Sequence, residues 1–272
     1  GGVMVKDETG NVSGSHKARH LFGTMLELLL ADVDRSHPLA IASCGNAALA
    51  AAVVARAAEW PLLVFVPEDA DPSVLSRLVE LGAAVTTCAR RPGEAGDPSY
   101  LRLREAIAAG AIPFTCQGNE NGLAIEGGLT IGYEMADVLR TTGQRLDRLF
   151  VQVGGGALAS SVIQGLAEAK ALGVIDHLPR LHAVQTHNAH PVQRAHDLVV
   201  LRLLEHTDDS YGSPTETLRA AMSSGALDEE LAWIARHRSQ FMWPWTPAPH
   251  SVAGGILDDE TYDWLAVVRG ML

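Results

Sequence analysis

The sequence predicts an α/β protein built as two lobes of open, mainly parallel sheet with flanking helices. Three observations carry that expectation. From Pro38 onward, short apolar runs alternate with amphipathic stretches, which is how a parallel sheet covered by crossover helices is written. The alternation comes as two βα series, separated by a polar, glycine-bearing segment at 118–122. The 272 residues are 47% hydrophobic and 19% charged, the balance of a globular chain with a sizeable core.

A first helix is expected from Ser15 as its cap, with Leu21, Phe22, Met25, Leu28 and Leu29 inward. Strands follow at LAIAS (39–43), LLVFVP (62–67), AAVTTC (83–88) and AIPFTC (111–116), rich in Val, Ile, Phe or Thr. Between the second and third, Asp71 predicts a helix cap and Pro72 the first helical position. Val74, Leu75, Leu78 and Val79 then face inward, and Gly82 is the stop. The second series follows a long helix near 123–140 that ends before Gly143. It contains RLFVQV (148–153), three glycines, a helix over 157–172 and LHAVQT (181–186). Residues 205–250 carry Gly, Pro, Ser and three tryptophans without clean periodicity, so loops and short helices packed on a lobe are expected.

Composition narrows the function. A net charge of −11 opposes attraction to phosphate backbones or anionic lipid, so no nucleic-acid partner is expected. The longest apolar run, at 47–55, is far shorter than the roughly 20 residues of a membrane helix, and no basic-apolar leader opens the chain. A cytoplasmic protein without membrane contact is the expectation. Cys44, Cys88 and Cys116 have no metal-ligand spacing and are expected as buried or free thiols. His16 and His20, and later His187, His190 and His196, lack an HExxH context and are taken as satisfied or solvent-facing, with no metal expected. Glu126 and Glu134 are expected to be structural, and Trp233, Trp243 and Trp245 to be packing residues.

Three motifs sit where extended runs meet helices, the place where open α/β proteins bind ligands. In KDETGNVSGSHK, Lys17 lies in a first helical turn beside unpaired N–H groups, which favours a neutral, nucleophilic amine; taken alone, such a lysine is most often a solvated surface residue. In ASCGN, Ser43, Asn46 and the backbone of Gly45 and Ala47 can receive a carboxylate, although any tight strand-to-helix turn favours Gly and Asn. In VQVGGGALASS, the backbone can close on a phosphate. Gly154, Gly156 and Ala159 also match a dinucleotide pattern, but the following strand ends at Thr186, and Asp176 precedes that strand. A phosphate-bearing cofactor smaller than NAD fits better.

In this order the three motifs resemble the tryptophan synthase β-like family of pyridoxal-phosphate-dependent enzymes, fold type II, across most of the chain. The resemblance implies pyridoxal 5′-phosphate in a cleft between the lobes. Lys17 would be the catalytic Schiff-base lysine, Ser15 a phosphate contact, and Gly154, Gly155, Gly156 and Ala157 the phosphate loop. Asn46 would lie beside the pyridoxal 3′-oxygen, with Ser43, Gly45, Asn46 and Ala47 holding the substrate carboxylate. It further implies a large cofactor domain formed by 1–39 and 119–272, a small α/β domain at 40–118, and a homodimer. The glycine loop is similar to serine and threonine dehydratases. KDETGNVSGSHK and EGGLTIGYEM resemble threonine synthases and diaminopropionate ammonia-lyase relatives, and His16 the tryptophan synthase pattern. Family chains begin earlier and continue past SVAGGILDDETYDWLAVVRGML, which implies a fragment lacking both ends. The expected activity is a lyase reaction, β-elimination (deamination) of a small hydroxy- or amino-substituted L-amino acid. The alternatives are a threonine synthase-like replacement on a phosphorylated homoserine, with Arg19 as a contributor to the phosphate pocket, and a catalytically silent cofactor-binding fragment.

Overall fold

The computed structural model describes residues 2–94, 96–206, 216, 220, 226–247 and 250–272. The expectation for 205–250 therefore lies partly outside the described residues. All six expected strands are present. The first sheet joins β1 (Leu39–Ala42), β2 (Leu62–Pro67), β3 (Ala84–Cys88) and β4 (Ile112–Pro113) in the order β3-β2-β1-β4, all parallel. The second pairs β5 (Arg148–Gln152) with β6 (Arg180–Val184), also parallel.

The helices are α1 (Lys17–Leu30), α2 (Asn46–Ala57), α3 (Pro72–Glu80), α4 (Pro98–Ala108), α5 (Leu123–Thr142), α6 (Ala157–Ala171), α7 (Pro191–His206), α8 (Ala226–Arg236) and α9 (Trp264–Met271). Local signals set their ends. The Asp71 carboxylate accepts the Ser73 N–H at 2.8 Å, with Pro72 in the first turn of α3. α5 ends at Gly143, whose φ of 64° lies in the left-handed region that glycine reaches without strain.

Strand alternation divides the first sheet between two cores. Leu39, Ile41, Leu62 and Val64 pack with α1, α2 and α3, whereas Ala40, Leu63 and Phe65 meet Leu103 and Ile107 of α4. Val151 and Leu181 of the second sheet join Val199, Leu203, Ile234 and Trp264 in a separate core. α1 is shared between layers. Ala18, Leu21, Met25 and Leu28 face the first core, while Gly23 meets Gly127 of α5 so closely that a Cβ on Gly23 would stand 2.5 Å from the Gly127 Cα.

Several side chains depart from expectation. Phe22 and Leu29 are 57% and 39% exposed, because α1 already spends one face on the core and one on α5. Val79 is also exposed; α3 buries only Leu78 fully. β4 is two residues long, since Pro113 has no N–H to donate, although Phe114 N still reaches Ala40 O at 2.8 Å. His16, not Ser15, is the residue at the start of α1, and the Ser15 Oγ lies 3.4 Å from the Lys17 N. Among the described residues, no helix is long and apolar enough to cross a membrane.

The Gly23–Gly127 contact makes a direct test. Gly23→Ala is expected to cost about 1–3 kcal/mol through overpacking, outweighing the ~1 kcal/mol that alanine gains in helix propensity. Gly10, with nothing within 4 Å of its Cβ position, is the control. Urea unfolding of the two alanine variants should show the loss at position 23 alone.

Candidate active site

Lys17 is the first residue of α1 and is partly buried. Its carbonyl oxygen lies 3.8 Å from the Cys116 Sγ, which follows β4. The histidines around it are neutral. The His20 Nδ1 lies 2.7 Å from the Ala124 carbonyl, which can only accept, so this nitrogen carries the proton. The His20 Nε2 is then the acceptor for the His16 Nδ1–H, 2.8 Å away. Burial first, and then the Lys17 charge, push His20 down to about 4 and His16 to about 2.

The glycine loop between β5 and α6 forms a cradle. Gly156 has φ 102°, and a Cβ on Gly155 would stand 2.9 Å from the Tyr262 ring. The first N–H groups of α6 have no intrahelical partner, so the loop and helix start together favour an anion. One is already there. The Asp258 carboxylate packs against the loop: its Oδ2 would lie 2.5 Å from a Cβ on Gly154 and 3.8 Å from one on Gly155. The loop residues thus fit a phosphate group, for which this carboxylate is a stand-in.

The chain that delivers Asp258 is stitched to the loop. The Thr261 Oγ1 donates to the Gly154 carbonyl at 2.8 Å, and the Asp263 N–H to the Gly155 carbonyl at 2.9 Å. The Asp263 carboxylate packs on the segment between the two strand series, its Oδ1 overlapping the position that a Cβ on Gly118 would take, and its Oδ2 is buried without a partner. Burial pushes Asp258 up and Asp263 up to about 6; the charge of Lys17 pulls both back, placing that amine within electrostatic reach of the cradle.

The carboxylate turn is positioned separately. Gly45 precedes α2, its N–H points to the Ser43 Oγ at 3.4 Å, and nothing lies within 4 Å of a Cβ on it. Asn46 is exposed and Ala47 partly buried. The turn at Val12–Gly14, just before Lys17, packs on α2. Ala157 is buried at the start of α6.

Arg19 is committed elsewhere, bonded to Glu8 (2.6 Å) and Glu134 (2.7 Å). Glu134 is thereby structural, held down to about 2 chiefly by its bond from Arg19. Trp233 stacks on His237, and Arg194 lies over Trp243. His187, His190 and His196 line a cavity of about 620 Å³ beyond the end of β6. Sequence reasoning missed Asp258, Thr261 and Asp263. The run DDETYD is visible, but nothing local joins it to Gly154.

Comparisons with known proteins show the family. A family described as "Pyridoxal-phosphate dependent enzyme" matches residues 1–239. A serine dehydratase-like protein of Homo sapiens is 31% identical over 80% of this chain and 62% of its own. A threonine synthase of Methanocaldococcus jannaschii is 27% identical over 93% of this chain and 64% of its own. The chain thus spans less than two thirds of the length of these relatives. The structure of a processed threonine deaminase from Solanum lycopersicum shares the fold, with a TM-score of 0.64 at 16% identity, over 98% of this chain and 61% of that one.

The buried Asp263 predicts a pH effect. Its carboxyl holds a proton up to about pH 6 in the fold but only to 3.8 as an ordinary carboxyl. Its contribution to stability is therefore full below 3.8 and is lost as pH rises through about 6. Asp263→Asn, which mimics the protonated form, should exceed the parent by about 1–2 kcal/mol above pH 7 and match it near pH 4 in urea unfolding.

Proposed function

Because the chain belongs to the family of pyridoxal-phosphate dependent enzymes, we propose that it performs β-elimination on a small hydroxy- or amino-substituted L-amino acid, with pyridoxal 5′-phosphate between its lobes. The observation that carries this reading is the glycine loop with the Asp258 carboxylate packed against Gly154, within the electrostatic reach of Lys17. Lys17 is the residue that would hold the cofactor covalently. Gly154, Gly155, Gly156 and Ala157 would hold the phosphate through backbone N–H groups, with Ser15 nearby. Asn46 is proposed beside the pyridine oxygen. Ser43, Gly45, Asn46 and Ala47 would receive the substrate carboxylate at the start of α2. The division into a small domain at 40–118 and a large one at 1–39 and 119–272, a homodimer and a cytoplasmic setting belong to the same proposal.

Bound there, the cofactor supplies an electron sink for a carbanion at the substrate α-carbon. The protein supplies orientation and proton transfer. The carboxylate turn fixes the substrate so that its α-C–H can be presented to the Lys17 amine, which removes the proton as general base. The β-substituent leaves with its bonding electrons, as water or ammonia once protonated; the 2-aminoacrylate released tautomerises to the imine, and addition of one water gives the 2-oxo acid and frees the α-nitrogen as ammonia. Replacement on a phosphorylated homoserine would need a free cation for the substrate phosphate. Arg19, the residue suggested for that task, is already held by two carboxylates.

Borohydride reduction of the protein loaded with pyridoxal 5′-phosphate should leave a phosphopyridoxyl adduct on Lys17 in the mass spectrum. Lys17→Ala should abolish the adduct and lower 2-oxo acid release at least 10²–10⁴-fold. An adduct on another lysine, or unchanged turnover, would overturn the assignment.

A further inference from the structure

Resting on the reading of the glycine loop as the phosphate site, we propose that residues 257–263 form an acidic strap that occupies this site in the unloaded chain and is displaced when the cofactor phosphate binds. Two bonds seat the strap, Thr261 Oγ1 to Gly154 O (2.8 Å) and Asp263 N–H to Gly155 O (2.9 Å), and the Asp258 Oδ2 packs against Gly154, 2.5 Å from the position of a Cβ there. A carboxylate offers the cradle the same kind of acceptor oxygens as a phosphate, with less charge. The two cannot share it. A Cβ on Gly154 would already lie 2.5 Å from the Asp258 Oδ2 and 3.0 Å from the Ile256 Cα, so no room is left for a second anion, and like charges would repel there.

The strap is built to move as a unit. Its far end is anchored by Trp264, buried in the core of the second sheet, and its near end by the Trp245 N–H on the Asp259 carbonyl at 2.9 Å. Asp258 lies just before the Asp259 bond, while between that bond and Trp264 the Thr261 methyl group and the Tyr262 ring pack on Gly156 and Gly155. The nearby charge of Lys17 acts on both Asp258, packed at Gly154, and Asp263, packed at Gly118. Cofactor binding takes away the seat at Gly154 and this charge at once, because the phosphate claims the cradle and the aldehyde claims the Lys17 amine. Pyridoxal without its phosphate claims only the amine and leaves the strap seated.

The test is a binding titration on the whole chain, read by absorbance and by hydrogen exchange. Asp258→Asn should bind pyridoxal 5′-phosphate about tenfold more tightly, the scale of one lost charge repulsion. It should bind inorganic phosphate more tightly as well, and pyridoxal within twofold of the parent. Asp259→Asn, which removes the same charge from an exposed neighbour, should change none of the three. Adding pyridoxal 5′-phosphate or phosphate to the parent should speed amide exchange in residues 257–263. Unchanged or weaker phosphate affinity in Asp258→Asn, an equal gain in Asp259→Asn, or slower strap exchange on loading would each overturn the strap. Absence of any Lys17 adduct in all variants would instead overturn the cofactor reading, and the inorganic phosphate titration would still decide the strap.

Discussion

Everything at the site depends on how closely α1 can lie against α5. The two helices meet at Gly23 and Gly127 with no side chain between them, while the opposite face of α1 buries Leu21, Met25 and Leu28 against the first sheet. A helix fixed on two sides cannot rotate or slide. Its first residue, Lys17, therefore has one position, set by packing several residues away rather than by any bond of its own side chain. Polar contacts tighten the same crossing, with His20 on the Ala124 carbonyl and Asn121 on Thr24 at 3.3 Å.

The electrostatics around that position follow from burial. The start of α1 carries four basic residues within five positions, His16, Lys17, Arg19 and His20. The two histidines are neutral, because their hydrogen bonds fix one proton each and burial disfavours a second. Arg19 keeps its charge but spends it on Glu8 and Glu134. Lys17 is left as the cation that acts on Asp258 and Asp263. What looks like a basic cluster in one dimension is two neutral histidines, one paired arginine and one amine within electrostatic reach of Asp258 and Asp263.

The sequence was most legible where structure is decided locally. Asp71, Pro72 and Gly82 bracket α3 because capping and φ preferences act within a turn or two. Strand alternation at 39–43 and 62–67 reads equally well, since side-chain period and burial share one origin. Phe22 and Leu29 were misjudged because hydrophobic periodicity marks an apolar arc, not which part of it finds a partner. Ser15 looked like a cap, but the chain enters α1 with His16 already helical at φ −59° and ψ −15°. The acidic strap was illegible for a different reason: Thr261 meets Gly154 from 107 residues away, and such a contact is made by topology.

This separation of local from topological information explains why the family is easier to read than the reaction. A phosphate cradle is made of backbone N–H groups, so its signature is glycine and a following helix, and the fold around it is shared with a structure only 16% identical. The choice between elimination and replacement is made instead by side chains that meet the substrate, and these carry no comparable backbone signature. A phosphorylated substrate approaching Arg19 would have to displace two carboxylates that are already bonded to it, and would gain no more than it broke. A small uncharged or ammonium β-substituent makes no such demand. The ion pairs of Arg19 therefore serve the packing of α1, fastening it to Glu8 on one side and to α5 through Glu134 on the other.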